Sequence, residues 1–188
     1  SVTEGNPKAI TAGTGLEWNP VVTGDAKYLT MLASNERVSA LPVAIKIDDY
    51  VYSDKPHTNL VMPIGSVPSP LSNRLGSESS FRFIGEIAPK LIAPQQVIFK
   101  AADGLEIHGQ LFLPKNAKPT DKLPAIIFSH GGPMRQMMLG WHNMYYYHNA
   151  YGFNQYLASR GYAVLSVNYR LGIGYGRAFR MAKNGGRR

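Results

Sequence analysis

The chain contains no cysteine among its 188 residues. That absence excludes a disulfide scaffold and thiolate metal sites, and it leaves the compartment open. Acidic residues are scarce too: 12 Asp and Glu stand against 20 Lys and Arg, and only 17% of the chain is charged. Long apolar runs are missing, because charges or prolines interrupt each one, so no transmembrane span and no membrane partner is expected. The N-terminus has no initiator methionine. Ser1-Val2-Thr3-Glu4-Gly5-Asn6 also lacks the basic start and apolar run of a signal peptide, so the start reads as a processing boundary. Finally, the pentapeptide G-x-S-x-G, which carries the nucleophile of an α/β-hydrolase, occurs nowhere.

What is present suffices for a core, with 44% hydrophobic residues in a length that suits one domain or pieces of two. The net charge of +8 raises the question of an anionic partner. Its distribution argues against one. Arg170, Arg177, Arg180, Lys183, Arg187 and Arg188 crowd the C-terminal end, the other basic residues are scattered, and no nucleic-acid-binding motif accompanies them.

Three regions differ in texture. Up to about residue 50, turn signals at Gly13-Thr14-Gly15 and Thr23-Gly24-Asp25 separate short apolar runs: Leu16-Glu17-Trp18, Lys27 to Ala33, and Leu41 to Ile47. This suits an antiparallel meander such as one propeller blade, which would need neighbours to cover its faces. Residues 52–94 are rich in Pro, Ser, Gly and Asn and read as a linker or crossover, with a boundary near Ala93-Pro94. Beyond it, Gln95 to Lys100 and Leu105 to Leu113 flank an Asp103-Gly104 turn and predict a hairpin, the second strand having one solvated face. Pro124 to Ser129 and Tyr162 to Arg170 predict two further strands. Between them, Gly152 to Gly161 reads as a helix end, with Phe153, Tyr156 and Leu157 on one face and Gly161 as its cap. After Gly176 the chain is expected to begin another helix. Strand, glycine turn, helix, strand, glycine turn is the rhythm of an α/β fold.

The loop His130-Gly131-Gly132-Pro133 follows a strand directly. Two glycines allow backbone N–H groups to converge on one point with no side chain in the way, which is what an oxyanion hole requires. Pro133 cannot donate but can fix the loop's shape. A plain tight turn is the alternative for the same residues. Gly172-Ile173-Gly174-Tyr175-Gly176 departs from the dinucleotide fingerprint G-x-G-x-x-G, so no nucleotide cofactor is expected. His130, His142 and His148 match no standard ligand spacing, and no metal is expected. Trp141, Tyr145, Tyr146, Tyr147 and Tyr151 form an aromatic cluster that either lines a substrate pocket or an interface with another domain, or packs in the core; Trp141, Tyr145 and Tyr146 are the pocket candidates. Ser129 and His130 are strand neighbours pointing to opposite faces, so they cannot form a nucleophile–base pair there.

The sequences Phe128-Ser129-His130-Gly131-Gly132-Pro133 and Val167-Asn168-Tyr169-Arg170-Leu171-Gly172-Ile173-Gly174-Tyr175-Gly176 resemble the first half of the catalytic domain of prolyl-oligopeptidase-family serine peptidases. The nearest branch holds acylaminoacyl-peptidases and dipeptidyl peptidase IV-like enzymes. Ala101 to Gly109 resembles the hairpin that opens those domains, and residues 13–47 resemble a late blade of the family's propeller. The resemblance implies an α/β-hydrolase fold preceded by a β-propeller: residues 1–93 would be the C-terminal part of the propeller plus a crossover, and 94–188 the first half of the catalytic domain. It implies cleavage of short peptides through an acyl-enzyme, without cofactor or metal. Gly131 and Gly132 match the oxyanion loop, with His130 beside it. The dipeptidyl peptidase IV type has a tyrosine where His130 stands, which leaves backbone N–H as the donor here. The usual Asn-Tyr-Arg-Gly-Ser is here Asn168-Tyr169-Arg170-Leu171-Gly172. The family's Ser, Asp and His of the triad are expected beyond Arg188, so the chain is expected to be inactive by itself. The implied partners are a short peptide substrate and the remainder of the same polypeptide, and a homo-oligomer is compatible with them. A soluble location, cytoplasmic or periplasmic, fits. Two other readings remain open at this point: a non-catalytic binding module, and an esterase-like hydrolase without a propeller.

Overall fold

The computed structural model describes residues 10–11, 15–47, 62–63 and 86–183. Most of the expected linker, 52–94, therefore lies outside the described residues. The described chain forms two four-stranded sheets with helices, a mixed α/β architecture.

The first sheet contains β1 (Leu16–Val22), β2 (Tyr28–Ser34), β3 (Leu41–Lys46) and β4 (Met62–Pro63), all antiparallel and in sequence order. The Thr23-Gly24-Asp25 turn closes the first hairpin. Thr23 N–H donates to Tyr28 O (2.9 Å), and the Asp25 carboxylate accepts from the Thr23 hydroxyl (2.6 Å). Alternation along β2 and β3 puts Met31, Ala33, Val43 and Ile45 on one face, where they form a buried cluster.

The second sheet contains β5 (Gln95–Lys100), β6 (Glu106–Phe112), β7 (Ala125–Ser129) and β8 (Ala163–Asn168), in the spatial order β5-β6-β8-β7. β5 and β6 form the expected hairpin around Gly104. β6 then pairs with β8 rather than with β7, and β7 lies parallel to β8. Parallel neighbours need a crossover, which is supplied by the helix α1 (Tyr145–Ser159). A short α2 (Gly176–Arg180) follows β8, as expected after Gly176.

α1 covers one face of this sheet. Its Tyr151 and Ala158 join Phe112, Val164 and Trp141 in the core, with Ile126 packed alongside. Phe112 and Val164 are completely buried, each worth about 1.5–3 kcal/mol of hydrophobic stabilisation. The helix ends as its sequence foretells. Gly161 takes φ +94°, Gly161 N–H donates to Ala158 O (3.1 Å), and Tyr162 N–H reaches back to Leu157 O (3.2 Å). That pair of bonds is a Schellman closure, which places a left-handed residue after the helix.

Two expectations fail. Phe153 and Tyr156 are exposed, and the buried face of α1 is Tyr147, Tyr151, Asn154, Gln155 and Ala158. Gln155 can be buried because its amide caps the incoming chain: Ile92 N–H donates to Gln155 Oε1 (3.1 Å) and Gln155 Nε2 donates to Ile92 O (2.8 Å). Nor does β6 have a solvated face. Gln110 is buried and His108 stacks on Tyr175 at 4.0 Å, because the segments around Met137 and Tyr175 lie over them.

The end of β2 and the residues after it touch the loop before α1 and α1 itself. Ser34 Oγ donates to Trp141 O (2.7 Å), Trp141 N–H to Asn35 O (3.1 Å), and Tyr151 Oη to Glu36 O (2.7 Å). A Cβ on Gly140 would stand 2.8 Å from Leu16 and 2.9 Å from the Asn35 carbonyl carbon, so this approach depends on glycine. No helix among the described residues is long and apolar enough to cross a membrane.

Candidate active site

Because β7 and β8 run parallel, their carboxyl ends open on the same edge of the sheet, the usual place for a site in such folds. β7 delivers His130-Gly131-Gly132-Pro133, and β8 delivers Tyr169-Arg170 and the Gly172–Gly176 loop. Gly131, Gly132 and Pro133 are exposed while His130 is buried.

The loop is anchored from behind. The His130 ring stacks on Tyr169 (4.4 Å, 17°) and meets Tyr147 edge-on (6.4 Å). Tyr169 Oη donates to His130 O (2.6 Å), and Tyr147 Oη donates to Gly131 O (3.2 Å). His130 Nδ1 also lies 3.2 Å from Gly131 O, which makes Nδ1 the protonated nitrogen. Burial, reinforced by the nearby Arg135 cation, pulls the His130 imidazole below its ordinary value of 6.5. The ring is therefore a neutral packing group. Gly132 takes φ +69°, a conformation open to glycine at little cost, and nothing stands within 4 Å of where its Cβ would be. The front of the loop is thus clear. Among the described residues, no hydrogen bond is donated by Gly131 N–H or Gly132 N–H.

Neighbouring backbone is fixed as firmly. Asn168, almost wholly buried, accepts from Met137 N–H (2.6 Å) and donates to Met137 O (2.9 Å) and Tyr175 Oη (2.8 Å). His142 accepts from Met144 N–H at Nδ1 (2.9 Å) and donates from Nε2 to Gln136 O (2.9 Å), so it too is neutral, its value lowered by burial. Arg170 makes a two-pronged bond to Asp103 (2.6 and 2.8 Å), which ties the β5–β6 turn to the end of β8. That bond holds the Asp103 carboxyl down at about 2.

The three histidines do not assemble into a ligand set, and no group of three potential metal ligands occurs among the described residues. Trp141 is buried in the core and lines a cleft of about 690 Å³ behind α1, together with Leu91, Ile92, Pro114 and Gln155. Tyr145 and Tyr146 are exposed at the start of α1, next to Tyr147. The structure therefore gathers His130, Gly131 and Gly132 with Tyr147 and Tyr169, and it places Trp141 apart. Sequence reasoning placed Tyr147 only in the aromatic cluster, not at the His130 loop, and missed Asn168 and Tyr169 as builders of this site. The one available signal was a polar–aromatic pair at a strand end just before a glycine loop.

No protein-family model matches the chain. Among curated proteins, it is 36% identical over 103 residues to dipeptidyl aminopeptidase BIII of Pseudoxanthomonas mexicana, covering 51% of this chain and 14% of that protein. It is 28% identical over 132 residues to the uncharacterized peptidase YuxL of Bacillus subtilis (strain 168), covering 70% of this chain and 18% of that one. The chain thus spans less than a fifth of the length of these relatives. Among solved structures, an acylaminoacyl peptidase in complex with Z-Gly-Gly-Phe-chloromethyl ketone aligns with 94% of this chain and 22% of its own, at TM-score 0.58 and 23% identity. A puromycin hydrolase mutant complexed with PGG aligns with 90% and 22%, at TM-score 0.56 and 24% identity.

Proposed function

We propose that this chain, a stretch of the prolyl-oligopeptidase family of serine peptidases, supplies the oxyanion-binding half of an acyl-transfer site. The observation that carries this reading is the His130-Gly131-Gly132 loop. It lies at the carboxyl end of a parallel strand, with its carbonyls tied back and its two glycine N–H groups unengaged. The first sheet would then belong to the last blade region of a propeller. Residues 94–188 would open an α/β-hydrolase domain, whose strand order β5-β6-β8-β7 supports this assignment.

In the proposed reaction a serine hydroxyl oxygen adds to the scissile carbonyl carbon of a short peptide. The carbonyl π electrons move onto its oxygen, and a general base takes the hydroxyl proton. Gly131 and Gly132 N–H groups hold the resulting negative charge. Collapse of the adduct breaks the C–N bond, the amine leaves with the proton, and water repeats the sequence on the ester to release the acid and restore the serine. These 188 residues hold no G-x-S-x-G, and the proposal therefore assigns nucleophile and base to the rest of the polypeptide. The name of one relative, dipeptidyl aminopeptidase BIII, supports short peptides cleaved near their N-termini.

Gly132→Val in the complete enzyme tests the assignment. Losing one oxyanion donor lowers kcat by roughly 10²–10³. A branched side chain at φ +69° also costs about 1–2 kcal/mol of stability, which a melt measures separately. A near-normal kcat, or a larger loss from His130→Ala, defeats the assignment of the donors to backbone.

A further inference from the structure

We infer that Tyr147 and Tyr169 are positioning residues for the oxyanion donors, each aiming one glycine N–H by holding the carbonyl at the other end of the same peptide plane. The inference rests on the reading of the His130 loop given above and assigns how its geometry is fixed.

A trans peptide unit is planar, so its C=O and N–H point in opposite directions and turn together. The unit between His130 and Gly131 carries the His130 carbonyl and the Gly131 N–H. Tyr169 Oη holds that carbonyl at 2.6 Å, so the direction of Gly131 N–H is settled from the far end of its own peptide plane. The next unit carries the Gly131 carbonyl and the Gly132 N–H, and Tyr147 Oη holds that carbonyl at 3.2 Å from across the fold, alongside the His130 Nδ1–H of the loop itself. Glycine needs such restraint more than any other residue, because its backbone rotates most freely. Gly132 has no neighbour within 4 Å of its Cβ position, and the following Pro133 offers no N–H through which the loop could be tethered.

Both tyrosines are themselves held. Tyr147 is buried on the inner face of α1, against His142 at 5.3 Å and His130 at 6.4 Å. Tyr169 is stacked on the His130 ring. Burial raises the Tyr169 hydroxyl above its ordinary value of 10.0, so it stays protonated and remains a donor. Two donors from separate elements, the first turn of α1 and the end of β8, thus meet two consecutive carbonyls of one loop. A packing role alone would need the rings and not the hydroxyls.

The experiment deletes only the hydroxyls, as Tyr147→Phe and Tyr169→Phe in the complete enzyme, with Tyr156→Phe on the exposed side of α1 as control. Each of the first two is expected to lower kcat about 10- to 100-fold with little change in KM, the cost of a misplaced catalytic group. A peptide aldehyde, whose adduct with the serine carries the oxyanion, should bind more weakly by a similar factor, while a peptide product keeps its affinity. That comparison reads only folded enzyme. Added to Gly132→Val, Tyr147→Phe should have almost no further effect, because the N–H it aims has already been displaced. If Gly132→Val is strongly impaired but both phenylalanine variants keep kcat within twofold, the positioning roles are wrong and the oxyanion loop stands. The positioning roles are equally wrong if aldehyde and product affinities fall together, or if Tyr147→Phe multiplies the loss from Gly132→Val in full. If Gly132→Val itself keeps normal kcat, the loop assignment fails first.

Discussion

At the scale of single residues, the turn after β8 holds a stress that composition does not reveal. Leu171 has φ +71°, a left-handed conformation that most L-residues avoid. Its N–H donates to Phe179 O (3.1 Å), and Arg170 beside it is fixed on Asp103, so the surroundings enforce the conformation. Leu171→Asn should therefore raise stability by about 0.5–1 kcal/mol, since asparagine tolerates this region, and Leu171→Val should lower it by about 1–2 kcal/mol. Thermal melts of the two variants decide the matter, and a Val variant as stable as the parent would show that no strain is stored there. The glycines of the candidate loop were legible in the sequence because their chemistry is local: a strand followed by His130-Gly131-Gly132. Tyr147 and Tyr169 were not, because they meet the loop from 16 and 39 residues away along the chain, and only folding brings such pairs together.

At the scale of elements, the exposed faces differ from what local pattern suggests. β7 has one hydrogen-bonded neighbour among the described residues, β8, and Ile127 on it is 70% exposed. By register, Ile127 shares its face with Leu165 and Leu111, opposite the face covered by α1. An apolar strand edge of this kind pairs readily with other chains. The isolated chain should consequently self-associate, and Ile127→Lys should shift it toward monomer in light scattering. A parent chain that stays monomeric with a sharp cooperative melt would count against this account of β7. The strands were legible because short apolar runs bounded by glycine and proline are distinctive. The buried face of α1 was not, since hydrophobic spacing favours Phe153 and Tyr156, while Gln155 is buried through backbone partners at Ile92 that no periodicity encodes.

At the scale of the whole molecule, the proposed function divides the labour of catalysis between this chain and sequence outside it. Strand order and the carboxyl-end loops were foreseen only as a rhythm of strand, glycine turn and helix, because pairing β6 with β8 and not β7 depends on the crossover by α1. The seam at Ser34, Asn35 and Trp141 could not be read at all, as it joins residues more than a hundred positions apart. The central claim is that these residues hold a developing oxyanion without holding the nucleophile. The most direct measurement is intact mass after treatment with a serine-directed fluorophosphonate, paired with turnover of chromogenic peptides. For the 188-residue chain the expected result is no adduct and no turnover above buffer, and for the complete enzyme one adduct per molecule with loss of turnover. A stoichiometric adduct on a serine within these 188 residues, accompanied by hydrolysis that the reagent abolishes, would contradict that claim.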